Sequence, residues 1–267
     1  TNDEYIKWEV YKDSTVLKSG HLYSSNGYFT FSFKVEDTWA LGKYKLKVWG
    51  PYINASMEKI FYVKSYTNVS LRAIPNMIGL GKKIKLEGNI SPNPGVVTVY
   101  FYYRLNGSTT WTLIGQNSTD TNGIFEFEWT PSTVAIYEFK ANWTGNERFL
   151  ANESNIVSLR VDRVKVIEYI VSDNRCDVGS IQYIKAKLVY ELDGSIVGDN
   201  CAYVVFNNTL VAHFNDTTQT WDITFSSPTT GRYCFNITYI NETCRNIGDS
   251  FIIEAIQVPY IIWDRII

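Results

Sequence analysis

Short runs of alternating apolar and polar residues follow one another along the chain, and most end at Gly, Asn or Pro. In residues 1–65 the runs are Trp8 with Val10, Tyr28 to Phe33, Tyr44 to Trp49 and Ile60 to Val63. A period of two marks a strand with one buried face, because successive side chains of an extended chain point to opposite sides. Asn26-Gly27 lies between two runs and predicts a two-residue hairpin turn, whose central positions need positive φ. In residues 66–161 the predicted strands are Leu71 to Ile74, Lys83 to Leu86, Val96 to Arg104, Trp111 to Ile114, Ile124 to Trp129, Tyr137 to Trp143 and Ile156 to Val161. Beyond them come Val164 to Val171, Ile181 to Tyr190, Ala202 to Phe206, Leu210 to Phe214, Trp221 to Phe225, Tyr233 to Tyr239 and Phe251 to Ile256.

Seven short strands with regular turn signals, twice over, predict an all-β chain of tandem immunoglobulin-like sandwiches. A repeat supports the division. Val161-Asp162-Arg163-Val164 is echoed by Trp263-Asp264-Arg265-Ile266, 102 residues later, the spacing expected of a tandem array of such domains. The expected modules are 1–65, 66–161 and 162–258, with 259–267 the start of a further repeat or a strand for a partner. Asn26-Gly27-Tyr28-Phe29-Thr30-Phe31 matches Asn122-Gly123-Ile124-Phe125-Glu126-Phe127, and both modules continue for the same length afterwards. Before the match the second module has 56 residues and the first has 25. The first module is therefore expected to be incomplete, short of roughly its first two strands. Those strands come from upstream sequence or from another chain, since a sandwich without an outer strand has an open edge.

Composition narrows the class. Aromatics make up 15% of the chain and charged residues 19%, a mixture that suits sheets better than helices. A net charge of −2 with no Lys/Arg cluster argues against nucleic-acid binding. No apolar run reaches the length that spans a bilayer, and the opening residues do not form a signal peptide. The compartment is read from Asn-x-Ser/Thr sequons, which begin at Asn54, Asn68, Asn89, Asn106, Asn117, Asn142, Asn152, Asn207, Asn215, Asn236 and Asn241. Eleven of 22 asparagines carry the spacing, where the Ser and Thr content predicts roughly one in six by chance. Turn chemistry enriches these residues without demanding that spacing. Dense N-glycosylation is expected, and with it an extracellular protein.

All four cysteines, Cys176, Cys201, Cys234 and Cys244, fall in the third module. Spacing alone leaves three pairings open. With strands alternating up and down, Cys176 and Cys234 lie at one end of the sandwich, and Cys201 and Cys244 at the other. The expected disulfides are Cys176–Cys234 and Cys201–Cys244, in keeping with an oxidising compartment. No close-spaced Cys/His cluster marks a metal site. The two histidines, His21 and His213, sit in different modules, and no nucleophile elbow, phosphate loop or zinc-protease signature occurs. The chain is not expected to be an enzyme and calls for no cofactor. Structural calcium is the one open metal question. Ser118 to Gly123 partly resembles the opening of a calcium loop but lacks its acidic first position and distal Glu. Asp162, Asp173 and Asp177 stand near module junctions, where Asp162 with Arg163 reads more simply as a hinge salt bridge.

Gly88-Asn89-Ile90-Ser91-Pro92, Trp111-Thr112-Leu113, Asn122 to Phe125, Trp129-Thr130-Pro131 and Tyr137 to Ala141 resemble the Ig-like repeats of prokaryotic surface proteins. In the third module Arg175 to Gly179, Tyr190-Glu191-Leu192-Asp193-Gly194, Trp221 and Ile262 to Arg265 resemble repeats of archaeal multidomain surface glycoproteins, including surface-layer proteins; the four cysteines depart from that pattern. The resemblance implies a structural glycoprotein of the cell envelope whose partners are its N-linked glycans, further copies of itself and other envelope proteins. Three other readings stand beside it. One is a filament subunit joined by strand donation. Another is a ligand-binding adhesin, for which the sequon-free loops at Trp39 to Gly42 and Glu147 to Phe149 would be the free surface. The last is an accessory region of a secreted hydrolase.

Overall fold

The computed structural model describes residues 4–52, 54–171, 179–198, 202–206, 210–226, 236–242 and 250–257. Among them there is no helix; the chain is all-β. Four strands form the first sheet: β1 (Tyr5–Lys12), β2 (Thr15–Tyr23), β3 (Gly42–Gly50) and β4 (Ala55–Val63), in the order β2-β1-β3-β4. Ile6, Trp8 and Val10 on β1 and Tyr44 and Val48 on β3 bury one face of this sheet. That face is covered by residues 28–36, which run extended across it. Phe31 and Phe33 stack on Trp8 with centroids 5.0 and 5.7 Å apart. The Asn26-Gly27 turn forms as the sequence predicts. Both residues have positive φ, and Ser25 and Tyr28 exchange backbone hydrogen bonds. The strand expected after it keeps its alternation but has no ladder. Among the described residues no backbone N–H of residues 29–35 bonds to a strand, because no described strand lies beside it.

The second unit shows what that arrangement looks like when complete. Its strands are β5 (Asn68–Ile74), β6 (Met77–Gly79), β7 (Ile84–Ser91), β8 (Thr98–Leu105), β9 (Thr112–Ser118), β10 (Ile124–Trp129), β11 (Ala135–Trp143), β12 (Asn152–Glu153) and β13 (Val157–Asp162). One sheet has the order β10-β7-β5; the other runs β6-β13-β11-β8-β9, with β12 beside β11. All seven expected strands are present, β7 and β9 running several residues longer than the pattern indicated. Leu71, Ile84, Leu86 and Phe125 from one sheet meet Val99, Phe101, Phe139 and Leu159 from the other in a dry core.

The two units share local devices. Tyr44 Oη donates to Ala40 O at 2.6 Å, and Tyr137 Oη donates to Thr133 O at 3.2 Å. In each case a tyrosine bonds back to the backbone four residues upstream, the tyrosine corner of Ig-like sandwiches. This makes β3 the counterpart of β11 and β1 the counterpart of β8. Trp8 stacks on Phe31 as Phe101 stacks on Phe127, at 5.0 and 4.7 Å. A glycine stands opposite the aromatic residue in both ladders: Trp8 pairs with Gly20, and Phe101 pairs with Gly115, whose own close neighbour is the Phe127 ring. A Cβ on Gly20 would fall 2.7 Å from the Trp8 ring, so the aromatic fixes the glycine opposite it.

Beyond Arg163 come β14 (Val164–Val171), β15 (Ile181–Tyr190), β16 (Ala202–Phe206), β17 (Leu210–Asn215), β18 (Thr220–Ser226), β19 (Asn236–Glu242) and β20 (Ser250–Gln257). These seven strands correspond to the expected set. Their pairing path is β14-β15-β18-β17-β16-β19-β20. β17 changes partners midway: Leu210 to Ala212 pair with β16, and His213 to Asn215 pair with β18. A strand that passes between β14-β15-β18 and β16-β19-β20 makes the corner of a sandwich. Trp221 is buried against Phe214 and donates its indole N–H to Val197 O at 2.7 Å.

Candidate functional surfaces

The chain passes from one sheet system to the next through two short linkers, and in both the linker is held by the module that follows. At the first, Ser65 N donates to Arg148 O at 3.0 Å and Leu150 N donates to Ser65 O at 2.9 Å, a parallel bridge between linker and loop. Thr67 Oγ1 donates to Leu150 O, and Asn152 Nδ2 donates to Thr67 O. The loop that does this is itself rigid. Asn146 Oδ1 accepts the backbone N–H groups of Arg148 and Phe149, and Phe149 is buried beside Trp143. Gly145 turns the loop with φ of 75°, where a Cβ would sit 2.6 Å from Ala151 N; no other residue fits without backbone movement.

The second linker is the single residue Arg163 between β13 and β14. Asp162, 0% exposed, is its anchor. Its Oδ2 accepts from Arg160 Nε and Nη2 at 2.8 and 2.6 Å, and its Oδ1 accepts from the backbone of Arg163 at 2.8 Å and of Leu192 at 3.1 Å. Every lone-pair direction of this buried carboxylate is thus used within the protein. The Tyr190–Gly194 turn reaches across to complete the joint. Glu191 N donates to Arg163 O, Arg163 Nε donates to Glu191 Oε2, and Arg160 Nη1 donates to Asp193 Oδ2 at 2.8 Å. The Arg160 guanidinium holds the Asp193 carboxyl well below the usual carboxylate range, helped by Ser195. Arg163, with Lys165, holds Glu191 below its ordinary value.

These contacts revise the expected hinge. Asp162 does not pair with the Arg163 side chain. It binds Arg160 on its own strand, which leaves Arg163 for Glu191. Strand alternation explains this, since residues 160 and 162 point to one side and 163 lies past the strand end. The two loops considered as a free adhesive surface also meet other residues. Leu41 packs on the second core, Arg148 lies beside Gly42, and Tyr62 Oη donates to Glu147. They face each other across the first joint, where Leu41 and Phe149 turn inward while Ala40, Glu147 and Arg148 stay exposed.

The sequons have a definite topography. Asn54, Asn68, Asn89, Asn106 and Asn117 are exposed, whereas Asn142, Asn152 and Asn215 are half-buried. Asn54 and Asn106 lie in turns and Asn68 opens β5, with no hydrogen bond from their carboxamides among the described residues. The Nδ2 atoms of Asn117, Asn152 and Asn215 are engaged with Glu126 O, Thr67 O and Asp222 Oδ2. Asn236 and Asn241 lie on β19, and Asn207 falls outside the described residues. So do all four cysteines, and with them both expected disulfides, as well as Asp173 and Asp177.

His21 lies beside Tyr5 and His213 on β17, so the fold does not bring them together. Asp120 accepts the backbone N–H groups of Asn122 and Ile124 at 2.8 Å each, which hold its carboxyl below its usual value. It closes the hairpin turn before β10, which explains the acidic residue in the calcium-loop-like stretch. Among the described residues no group of three or more His, Cys, Asp or Glu is gathered for a metal. No helix there is long and apolar enough to cross a membrane.

Taken together, the sheets, tyrosine corners and held linkers define a chain of tandem Ig-like modules. No family model and no curated protein matches the sequence. Among solved structures it is similar to the three N-terminal domains of the Highly Immunogenic Outer Capsid protein (Hoc) of bacteriophage RB49. The identity is 11% and the TM-score 0.41, over 96% of this chain and 86% of that one. It is also similar to the Salmonella alpha-2-macroglobulin, at 9% identity and a TM-score of 0.28, over 95% of this chain and 21% of that one. At such identities and scores neither likeness bears on function.

Proposed function

We propose that the chain is a structural spacer of an extracellular cell-envelope glycoprotein, with stiff Ig-like modules that set distance and N-linked glycans that cover their exposed faces. The observation that carries this reading is the pair of held linkers. A binding module needs an open loop end or a mobile joint, whereas here the loops of one module are used to fix the next. The exposed sequons support the glycan coat, which shields strand edges from stray pairing as well as from proteases. No chemistry is assigned to any side chain in this role.

Glycopeptide mapping of the protein from its native source tests the proposal. Occupancy is expected to be highest at Asn54, Asn68 and Asn106 and lowest at Asn152, whose amide nitrogen already holds the first linker. Bare asparagine at every sequon overturns the extracellular-coat reading. Small-angle scattering of the same material checks the mechanical part: a fixed interdomain distance supports a spacer, and a broad distribution of distances refutes it.

A further inference from the structure

Two sequons of the second module lie against each other. Asn68-Val69-Ser70 on β5 and Asn89-Ile90-Ser91 on β7 run antiparallel in register, so Asn68 stands opposite Ser91 and Ser70 opposite Asn89. Val69 and Ile90 are buried in the core, and strand alternation therefore turns the Asn and Ser residues to the outer face of the β10-β7-β5 sheet. The two asparagines are held differently. Asn89 Oδ1 accepts from Ser70 Oγ, and its Nδ2 makes no hydrogen bond among the described residues. Asn68 is exposed at the start of β5, with its whole carboxamide unbonded there. Beside Asn89 this face is hollowed into a groove of about 550 Å³, within the range of small-ligand sites, about 300–1,000 Å³. Ser70, Asn89 and Ile124 form one row across the three strands; Arg72 and Glu87, an ion pair, form the next, and Asn122 borders the other side. The groove is an outward face of a closed sandwich, with the core of the second module complete beneath it.

We infer that this groove is a carbohydrate site and that its occupant is the N-linked glycan of Asn68 on the same chain. A sugar carries hydroxyl groups on its rim and C–H groups on its ring faces, and the groove offers partners for both. The unbonded Asn89 Nδ2, the Glu87 carboxylate and the Arg72 guanidinium suit the hydroxyls. Ile124, 51% exposed on an otherwise polar face, suits the C–H groups. Reach favours a glycan of this chain. Asn68 is the diagonal neighbour of Asn89 in the ladder, about 7–8 Å away, a distance that the asparagine side chain and one sugar ring cover. The second sequon is then the seat and not a second acceptor. Two bulky glycans on diagonal positions would compete for one groove, and the Ser70 bond fixes the Asn89 carboxamide with its Nδ2 left to donate. The inference rests on the glycan-coat reading and deepens it. One glycan of the coat is packed on its module, whereas those of Asn54 and Asn106 stand on turns.

Glycopeptide mapping and a double-variant cycle on unfolding test it, with every protein produced in the native host. Asn68 is expected to be occupied and Asn89 bare. Asn68→Gln removes the glycan from a side chain that makes no bond in the fold, and Ile124→Ser changes the groove at an exposed position outside the core. With the Asn68 glycan present, Ile124→Ser is expected to raise the unfolding equilibrium constant at least about fivefold more than it does in the Asn68→Gln background. The Asn106→Gln background, which loses a glycan from a turn, is expected to keep the full cost of Ile124→Ser. An equal cost with and without an occupied Asn68, the same loss of cost in Asn106→Gln, or a glycan on Asn89 overturns the groove assignment and leaves the coat standing. Bare asparagine at every sequon overturns both.

Discussion

The first and second modules contain the same four strands in the same order, β2-β1-β3-β4 and β9-β8-β11-β13. They share the tyrosine corner, the glycine opposite a core aromatic and the stacked ring pair. They differ in what lies over that sheet. In the second module a three-stranded sheet closes the sandwich, and Phe101 and Phe139 are 0% exposed. In the first a single extended segment covers the sheet, and its rings stay half-exposed. A four-stranded sheet with one good face thus folds the same way in both places. What differs is the cover: in the second module the described residues supply a second sheet over that face, and in the first they supply one extended segment.

The largest expected difference between the modules is in core truncation. Phe101→Ala removes a ring packed on both sides and is expected to cost about 5 kcal/mol by denaturant unfolding, while Trp8→Ala, under the thinner cover, costs about 3 kcal/mol. Equal losses would mean that the first module is as well closed as the second. The joints offer the next contrast. Asp162→Ala leaves Arg160 Nε and Nη2 and two backbone N–H groups without their acceptor and is expected to destabilise by about 3 kcal/mol. The same variant should broaden the interdomain distances seen by scattering. At the first joint, where two backbone-to-backbone bonds remain in the variant, Asn152→Ala removes one side-chain bond and costs about 1 kcal/mol.

Tyr44→Phe and Tyr137→Phe test what the modules share, with each expected to lose about 1 kcal/mol. A clear inequality would show that the corner has different weight in an open and a closed sandwich.

The smallest effect is on pH. Glu191 and Asp193 have folded-state pKa values below their ordinary ones, first through Arg163 and Arg160 respectively. Their contribution to the second joint is complete above the usual carboxylate range and is lost as pH falls through the depressed folded values. Stability measured below about pH 4 should therefore drop more steeply in the wild type than in a Glu191→Gln, Asp193→Asn double variant. A first-joint variant such as Asn152→Ala should keep the wild-type acid slope.

Much of the fold was legible because a half-buried strand writes its faces directly into the sequence. The alternation in residues 66–161 marked all seven principal strands there, and the Asn26-Gly27 turn formed as its residue types require. β2 was missed. It lies at a sheet edge, and its half-buried face is made of Lys18, Gly20 and Leu22, residue types that show no apolar period. The short strands β6 and β12 offered too few residues to show one. The joints were half legible: the repeated Asp-Arg pair and the Tyr190–Gly194 motif were visible, but their bonding was not. Asp162 meets Leu192 across 30 positions of sequence, and Ser65 meets Phe149 across 84. No local pattern encodes such a meeting.

By itself, then, the sequence determined which segments are extended, which face of each is apolar, where the turns fall and which asparagines carry the sequon spacing. All of these depend on neighbours a few residues apart, through backbone sterics and the side-chain period. The tertiary structure alone decided that Asp162 is a buried anchor, that the Trp39–Gly42 and Glu147–Phe149 loops close onto a joint, and that residues 29–35 pair with no described strand. Each of these depends on what another part of the chain brings within hydrogen-bonding distance, or fails to bring. An unpaired strand has the same alternation as a paired one, because alternation records which face is buried and not whether the backbone edge is filled.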